Sequence, residues 1–445
     1  MKYLLSLFLA ASLLLLTSGC GVQGTPTPDP VTVSETVVNK MSTVVALATS
    51  QASATPAPAL AISTPTPTAT PDQPSPTSTR APVYRQVCLP VQNPPPGGLS
   101  QPGVIVLGGA QARLYALKTL GQPATPLGSP GSKYQFLVNV AATSPDGKEF
   151  MYLEGWPDPK GYIPMHLALR IIRSDGRRRA VSQPWDFRWN AIASWFGPES
   201  VLMAWDVAYK GRMTVVDPFT GSAHDLAPIL PNIYQSHLPG TQWDNATSAV
   251  YSPDQNQVVY LRDEQVDPMY QMVLWDIKTK TVLWQRVDRG ALGHTPEWSP
   301  DGSAFAMAID TGKGTNSQDE LFLVDRSGAE RQLTDLSSSG DLAVIRGLTW
   351  APDGQSLAFW LDYRHAGWAF ETEQLGILNL ATGQITLYCF GSGSSRPVWS
   401  PGSPAIAFEI DPVNEPSQTI LLDLAGESAY LLAENAYPAA WLKSP

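Results

Sequence analysis

Apolar residues in the C-terminal part of the chain come in short runs, each cut off by residues that favour tight turns. In the clearest stretch, Gly347-Leu348-Thr349-Trp350 leads into Ala351-Pro352-Asp353-Gly354, and Ser356-Leu357-Ala358-Phe359-Trp360 follows. After a longer connection come Leu375-Gly376-Ile377-Leu378-Asn379-Leu380, the turn Ala381-Thr382-Gly383, and Gln384-Ile385-Thr386-Leu387-Tyr388. Runs this brief, rich in β-branched and aromatic residues and bounded by turn chemistry, predict four strands joined up and down into one sheet. The preceding stretch keeps the same order with Pro296-Glu297-Trp298, Ala304-Phe305-Ala306-Met307-Ala308, Glu320-Leu321-Phe322-Leu323-Val324 and Arg331-Gln332-Leu333-Thr334.

The unit repeats. A Pro-centred turn occurs at Ser144-Pro145-Asp146-Gly147, Phe196-Gly197-Pro198-Glu199, Ser252-Pro253-Asp254-Gln255, Ser299-Pro300-Asp301-Gly302, Ala351-Pro352-Asp353-Gly354 and Ser400-Pro401-Gly402-Ser403. Its prolines are 53, 55, 47, 52 and 49 residues apart, a blade-sized period. Pro fixes one backbone angle, Asp accepts nearby amides and Gly tolerates positive φ, so the turn and its Asp residues are read as structural. The aromatic two residues before most of the prolines (Tyr251, Trp298, Trp350, Trp399, with Phe196 in the second copy) is expected to fill space between neighbouring sheets.

The recurring Trp298-Ser299-Pro300-Asp301-Gly302 and Trp350-Ala351-Pro352-Asp353-Gly354 resemble the repeat of TolB-type, WD-repeat-like β-propellers, also found beside the catalytic domains of prolyl oligopeptidase-like enzymes. The resemblance covers residues 100–445 and implies an all-β propeller; the second and sixth copies depart from the consensus. Ala439-Ala440-Trp441-Leu442 reads as one more inner strand, and Gly103-Val104-Ile105-Val106-Leu107, Leu114-Tyr115-Ala116-Leu117 and Ala124-Thr125-Pro126-Leu127 as the strands missing beside it. A sheet shared by the two ends predicts seven four-stranded blades without open edges; six blades plus an N-terminal hairpin is the alternative.

The N-terminus reads differently. Residues 1–19 carry one Lys and an apolar run from Tyr3 to Leu16, too short for a span, and Leu16-Thr17-Ser18-Gly19-Cys20 resembles a lipoprotein lipobox with Thr17 in place of the usual Leu. The resemblance implies lipidation at Cys20. Residues 20–85 are rich in Pro, Thr, Ser and Ala and predict a disordered tether, leaving 86–445 as the propeller domain. Cys88 and Cys389 are then a pair in an oxidising compartment, expected to form a disulfide across a very long loop. Localisation follows as exported, anchored to the outer face of the cytoplasmic membrane or to an outer membrane. The net charge of −10 repels polyphosphates, so nucleic acid is not an expected partner.

Chemistry is sparse. The five histidines show no metal-ligand spacing, no DxDxDG or G-x-S-x-G run is present, no hydrolase domain is read after the last blade, and no cofactor or metal is expected. The longer connections, which an up-and-down sheet gathers on one face, carry aromatics and Arg: Trp156, Tyr162, Trp185, Trp189, Trp243, Tyr363, Arg364 and Trp368. Such residues suit protein interfaces and stacking on sugars. The expectation is a membrane-anchored, monomeric binding or scaffolding propeller engaging a protein or envelope polymer, rather than an enzyme. The alternative is a glycan lyase or hydrolase with its site in the central channel.

Overall fold

The computed structural model describes residues 83–444 apart from 110–112, 128–135, 145, 157–165, 176, 181–191, 197–199, 208–209, 218–219, 221, 226–248, 263–269, 289–294, 313–317, 340–341, 365–371, 394 and 413. Residues 1–82, read from the sequence as a signal segment and most of a tether, lie outside the described residues. The described residues belong to a compact unit spanning Pro74–Pro445.

Hydrogen bonding gathers the described strands into seven sheets. The first sheet holds Phe136–Thr143, Glu149–Trp156, His166–Arg173 and Arg178–Ala180. The second holds Ile192–Phe196, Ser200–Val207, Lys210–Val216 and Ala223–Asp225. The third comprises Ala249–Tyr251, Gln257–Arg262, Tyr270–Asp276 and Thr281–Asp288. Glu297–Trp298, Ala304–Asp310, Asp319–Asp325 and Glu330–Gln332 form the fourth. Leu342–Trp350, Ser356–Arg364, Thr372–Asn379 and Gln384–Tyr388 form the fifth, and Val398–Trp399, Ala405–Ile410, Gln418–Asp423 and Ser428–Glu434 the sixth. These four-strand ladders are antiparallel in the order of the chain.

The closing sheet joins the two ends. Ala436–Leu442 pairs with Leu99–Gly109, which pairs in turn with Leu114–Leu120 and that with Thr125–Pro126. Val104 faces Leu442 and Ile105 faces Trp441 across the seam. At Gly103 (φ +98) a Cβ would stand 1.9 Å from the Leu442 carbonyl oxygen, so the seam needs glycine at this close approach.

Packing explains the apolar runs. The second strands of the fourth and sixth sheets are buried on both faces, Ala304–Ile309 and Ala405–Ile410 throughout, which is why they read as continuous apolar stretches and not as alternation. The apolar clusters accordingly lie between sheets: Phe305 and Met307 meet Val259 and Leu274 of the third, while Trp360 and Phe408 join the fifth to the sixth. The tryptophans before the Pro turns of the fourth, fifth and sixth sheets sit at these boundaries. The indole N–H of Trp298 donates to the Val250 carbonyl (3.1 Å), that of Trp350 to Glu297 (2.9 Å) and that of Trp399 to Thr349 (3.4 Å), each on the inner strand of the preceding sheet.

One element departs from the sequence reading. Val83–Val87 pairs in parallel with Gln384–Tyr388 on the rim of the fifth sheet, and Val91–Gln92 pairs in parallel with Ala429–Tyr430 on the rim of the sixth. The first three of these residues fall in the segment that composition assigns to the tether. Ordered sheet thus begins before residue 86, because strand pairing along a rim requires backbone groups and little apolar side chain.

Candidate functional site: the face of the long connections

Antiparallel strands place the first-to-second and third-to-fourth turns at one end of every sheet and the second-to-third connections at the other. At the short-turn end the described turns are bonded internally. In its first-to-second turns Gly147, Gln255, Gly302 and Gly354 donate their amides three residues back, over 2.8, 2.8, 2.8 and 2.9 Å. Ser144, Ser252 and Ser299 donate their hydroxyls to Asp146, Asp254 and Asp301 over 2.6, 2.7 and 2.6 Å. Where the sixth copy lacks Asp, Ser400 and Ser403 bond each other at 2.8 Å. The Ser299 hydroxyl, with Ser303, holds the Asp301 carboxyl below the usual carboxylate range. Burial pulls the Asp254 carboxyl upward, but hydrogen bonds from Ser252, Asn256 and Arg326 outweigh it and keep it well below that range. Asp276 and Asp325 likewise accept amides of their own third-to-fourth turns.

At the opposite end, the fourth to sixth sheets carry carboxylates. Asp310, Asp362 and Asp411 each stand ten residues after the turn prolines Pro300, Pro352 and Pro401, a periodic signal that marks the end of the second strand. Asp310 accepts the amides of Gly312 (2.8 Å) and Gln318 (2.9 Å), and Asp319 that of Ile345 (2.8 Å) on the next sheet. Buried Glu320 accepts the Thr334 hydroxyl (2.6 Å) and the amides of Leu336 (2.9 Å) and Ser337 (2.8 Å). Glu373 pairs with Arg346, accepts the Ser392 hydroxyl and faces Asp362 across the strands. Burial raises its carboxyl above the usual range; Ser392 and Arg346 pull it back and Asp362 adds to the rise. Arg396 pairs with Glu297 and donates to the Leu348 carbonyl from Nε (2.9 Å) and Nη2 (2.6 Å). These charges bind connections to sheets and sheets to one another.

Of the predicted binding residues, Trp156 ends the second strand of the first sheet opposite His166, and Tyr363 and Arg364 end that of the fifth. Their backbones therefore stand at the long-connection end of their sheets. Tyr162, Trp185, Trp189, Trp243 and Trp368 lie outside the described residues, as do His237, His294 and His365 and Cys20, the residue expected to carry the lipid. Cys88 and Cys389 are bonded, with their Cα atoms 4.9 Å apart across 301 residues of sequence. Among the described residues no cluster of His, Cys, Asp or Glu is arranged to hold a metal, and no helix is long and apolar enough to cross a membrane. A cleft of about 200 Å³ opens between the closing and first sheets, lined by Val104, Val106, Lys118, Leu127 and Arg173 among others. It is smaller than the roughly 300–1,000 Å³ typical of small-molecule sites.

No protein-family profile matches the chain. Over 119 residues it is 31% identical to the uncharacterized peptidase YuxL of Bacillus subtilis (strain 168), a match taking in 25% of this chain and 17% of that protein's length. Among solved structures it is similar to TolB from Acinetobacter baumannii, at 16% identity and a TM-score of 0.40 over 76% of this chain and 64% of that one. The seven sheets, one of them shared by the two ends, make the chain a β-propeller. An oligogalacturonate lyase in complex with manganese aligns at 14% identity and a TM-score of 0.48 over 76% and 86% of the two chains. The β-propeller domain of the Trilobed protease from Pyrococcus furiosus, described as having an open velcro topology, aligns at 12% and 0.42 over 66% and 83%.

Proposed function

We propose that this is an exported propeller, held to a membrane by lipidated Cys20 and the tether of residues 20–85, that engages a protein or cell-envelope polymer through the face of its long connections. The anchor places it on the outer face of the cytoplasmic membrane or on an outer membrane. The observation that carries the choice of face is the chemical contrast between the two ends. The short turns spend their Ser, Asp and Asn side chains on one another and on nearby backbone, with Asp254 also paired to Arg326, whereas the long connections leave from strand ends bearing Trp156, Tyr363 and Arg364. Rigid scaffolds with variable long loops on one face place binding residues there. The Cys88–Cys389 bond supports export, since disulfides persist in oxidising compartments. Asp310, Glu320 and Glu373 are engaged in holding connections, which weighs for a binding module over a glycan lyase or hydrolase.

In-cell crosslinking followed by mass spectrometry tests the reading, with wild type compared at equal abundance with the Trp156→Ala, Trp185→Ala, Trp368→Ala triple variant. A discrete adduct lost in the variant is the expected result; an adduct of undiminished yield removes this face. Cys20→Ala tests the anchor separately, because it should move the protein from the membrane to the soluble fraction.

A further inference from the structure

The N-terminal residues of the domain lie as a strap across the rims of two sheets before they enter the closing sheet. Five residues pair with the outer strand of the fifth sheet and two with that of the sixth. The strap has little apolar hold. Tyr84, Arg85, Gln86, Val91 and Gln92 are exposed, and Val87 and Leu89 are only partly buried against the cluster between those sheets. Its other ties include the exposed Arg85–Glu427 ion pair (2.5 Å), worth little in water, the bond that Gln86 Nε2 donates to Cys389 Sγ (3.3 Å), that from the Cys389 amide to the Val87 carbonyl (3.2 Å), and the Cys88–Cys389 disulfide. Cys88 is exposed and Cys389 half-buried, so a reductant reaches the bond without the sheets opening. The segments least buried and most dependent on backbone pairing are those that open locally.

We propose that the Cys88–Cys389 disulfide is a redox-cleavable clamp that holds the strap of residues 83–98 on the rim, and that its reduction by a dithiol frees the strap while the sheets stay folded. A thiolate of the reductant attacks Cys88 Sγ, the sulfur–sulfur electron pair leaves on Cys389 Sγ, and that sulfur takes up a proton. The second thiol of the reductant then attacks the mixed disulfide, Cys88 leaves as a thiol, and the reductant departs as its own disulfide. Two electrons and two protons pass to the cysteine pair. Release moves the point where the chain leaves the folded body from the rim of the fifth sheet to the closing sheet. If the lipid-anchored reading holds, the tether gains 16 residues, up to about 50 Å of reach at about 3.3 Å per residue.

Hydrogen exchange with mass spectrometry on the full-length protein, with and without dithiothreitol, tests the clamp independently of the anchor. The expected result is exchange at least about tenfold faster in peptides covering 84–92, with peptides covering 304–310 and 405–410 unchanged. The Cys88→Ser, Cys389→Ser double variant should show the same pattern without reductant. Unchanged protection of the strap after reduction would overturn the proposal, as would loss of protection in strap and sheets together, in reduced wild type or in the variant.

Discussion

Trp350→Phe and Trp350→Ala separate the two roles assigned to the tryptophans before the Pro turns of the fourth to sixth sheets. Trp350 is 7% exposed, lies among Leu348, Leu357, Phe359, Ala306 and Leu321, and donates its indole N–H to the Glu297 carbonyl at 2.9 Å. Truncation to Ala removes a buried aromatic at a sheet boundary that cannot close up without moving a blade, and should cost about 4 kcal/mol. Phe keeps most of the ring but lacks the donor. Losing one hydrogen bond and a few ring atoms should cost about 1.5 kcal/mol. At about 2 °C per kcal/mol for a domain this large, thermal melts followed by far-ultraviolet circular dichroism should fall by about 8 °C for Ala and about 3 °C for Phe. Equal losses for the two variants would show that the indole bond, not the volume, sets the cost. A fall below about 1 °C for Ala would refute the boundary packing.

Two further outcomes follow from the geometry. In Gly393→Ala the new methyl would stand 1.9 Å from Trp360 Cζ2, a side chain 2% exposed and held by its bond to the Ser395 carbonyl at 2.8 Å. The overpacking should cost about 1–3 kcal/mol, and an unchanged melting temperature would contradict the placement of Trp360 under that connection. Asp254 should stabilise the folded state above its unfolded pKa of about 3.9 and lose that contribution as pH falls toward its depressed folded value. Because the side chain is 41% exposed and the pairing with Arg326 is solvent-screened, Asp254→Asn should cost only about 1 kcal/mol at pH 7, and less at pH 3. A melting difference as large at pH 3 as at pH 7 would count against the hydrogen-bonded carboxylate.

The features legible in the sequence are those that local chemistry repeats. The Pro turns, the four apolar runs per unit and the shared closing sheet each rest on neighbouring residues or on a motif recurring at a fixed interval. The strap was illegible because Val83-Tyr84-Arg85-Gln86-Val87 adjoins a Pro-rich segment, shows little apolar signal and pairs with residues about 300 positions away. The Arg346–Glu373 pair was illegible for a similar reason: neither residue belongs to the turn motif, and only strand register brings them together. The Asp at ten residues past the turn proline was in plain sight. The role of Asp310, accepting amides of a connection, becomes apparent only once the end of the second strand is located.

Site-specific photo-crosslinking in cells tests the choice of face most directly. A photoreactive residue is placed at 156 or 368 among the long connections and, in parallel, at 279 or 382 in the third-to-fourth-strand turns. The account predicts a discrete adduct from 156 and 368 and none from 279 and 382. Adducts from the turn positions alone would contradict it.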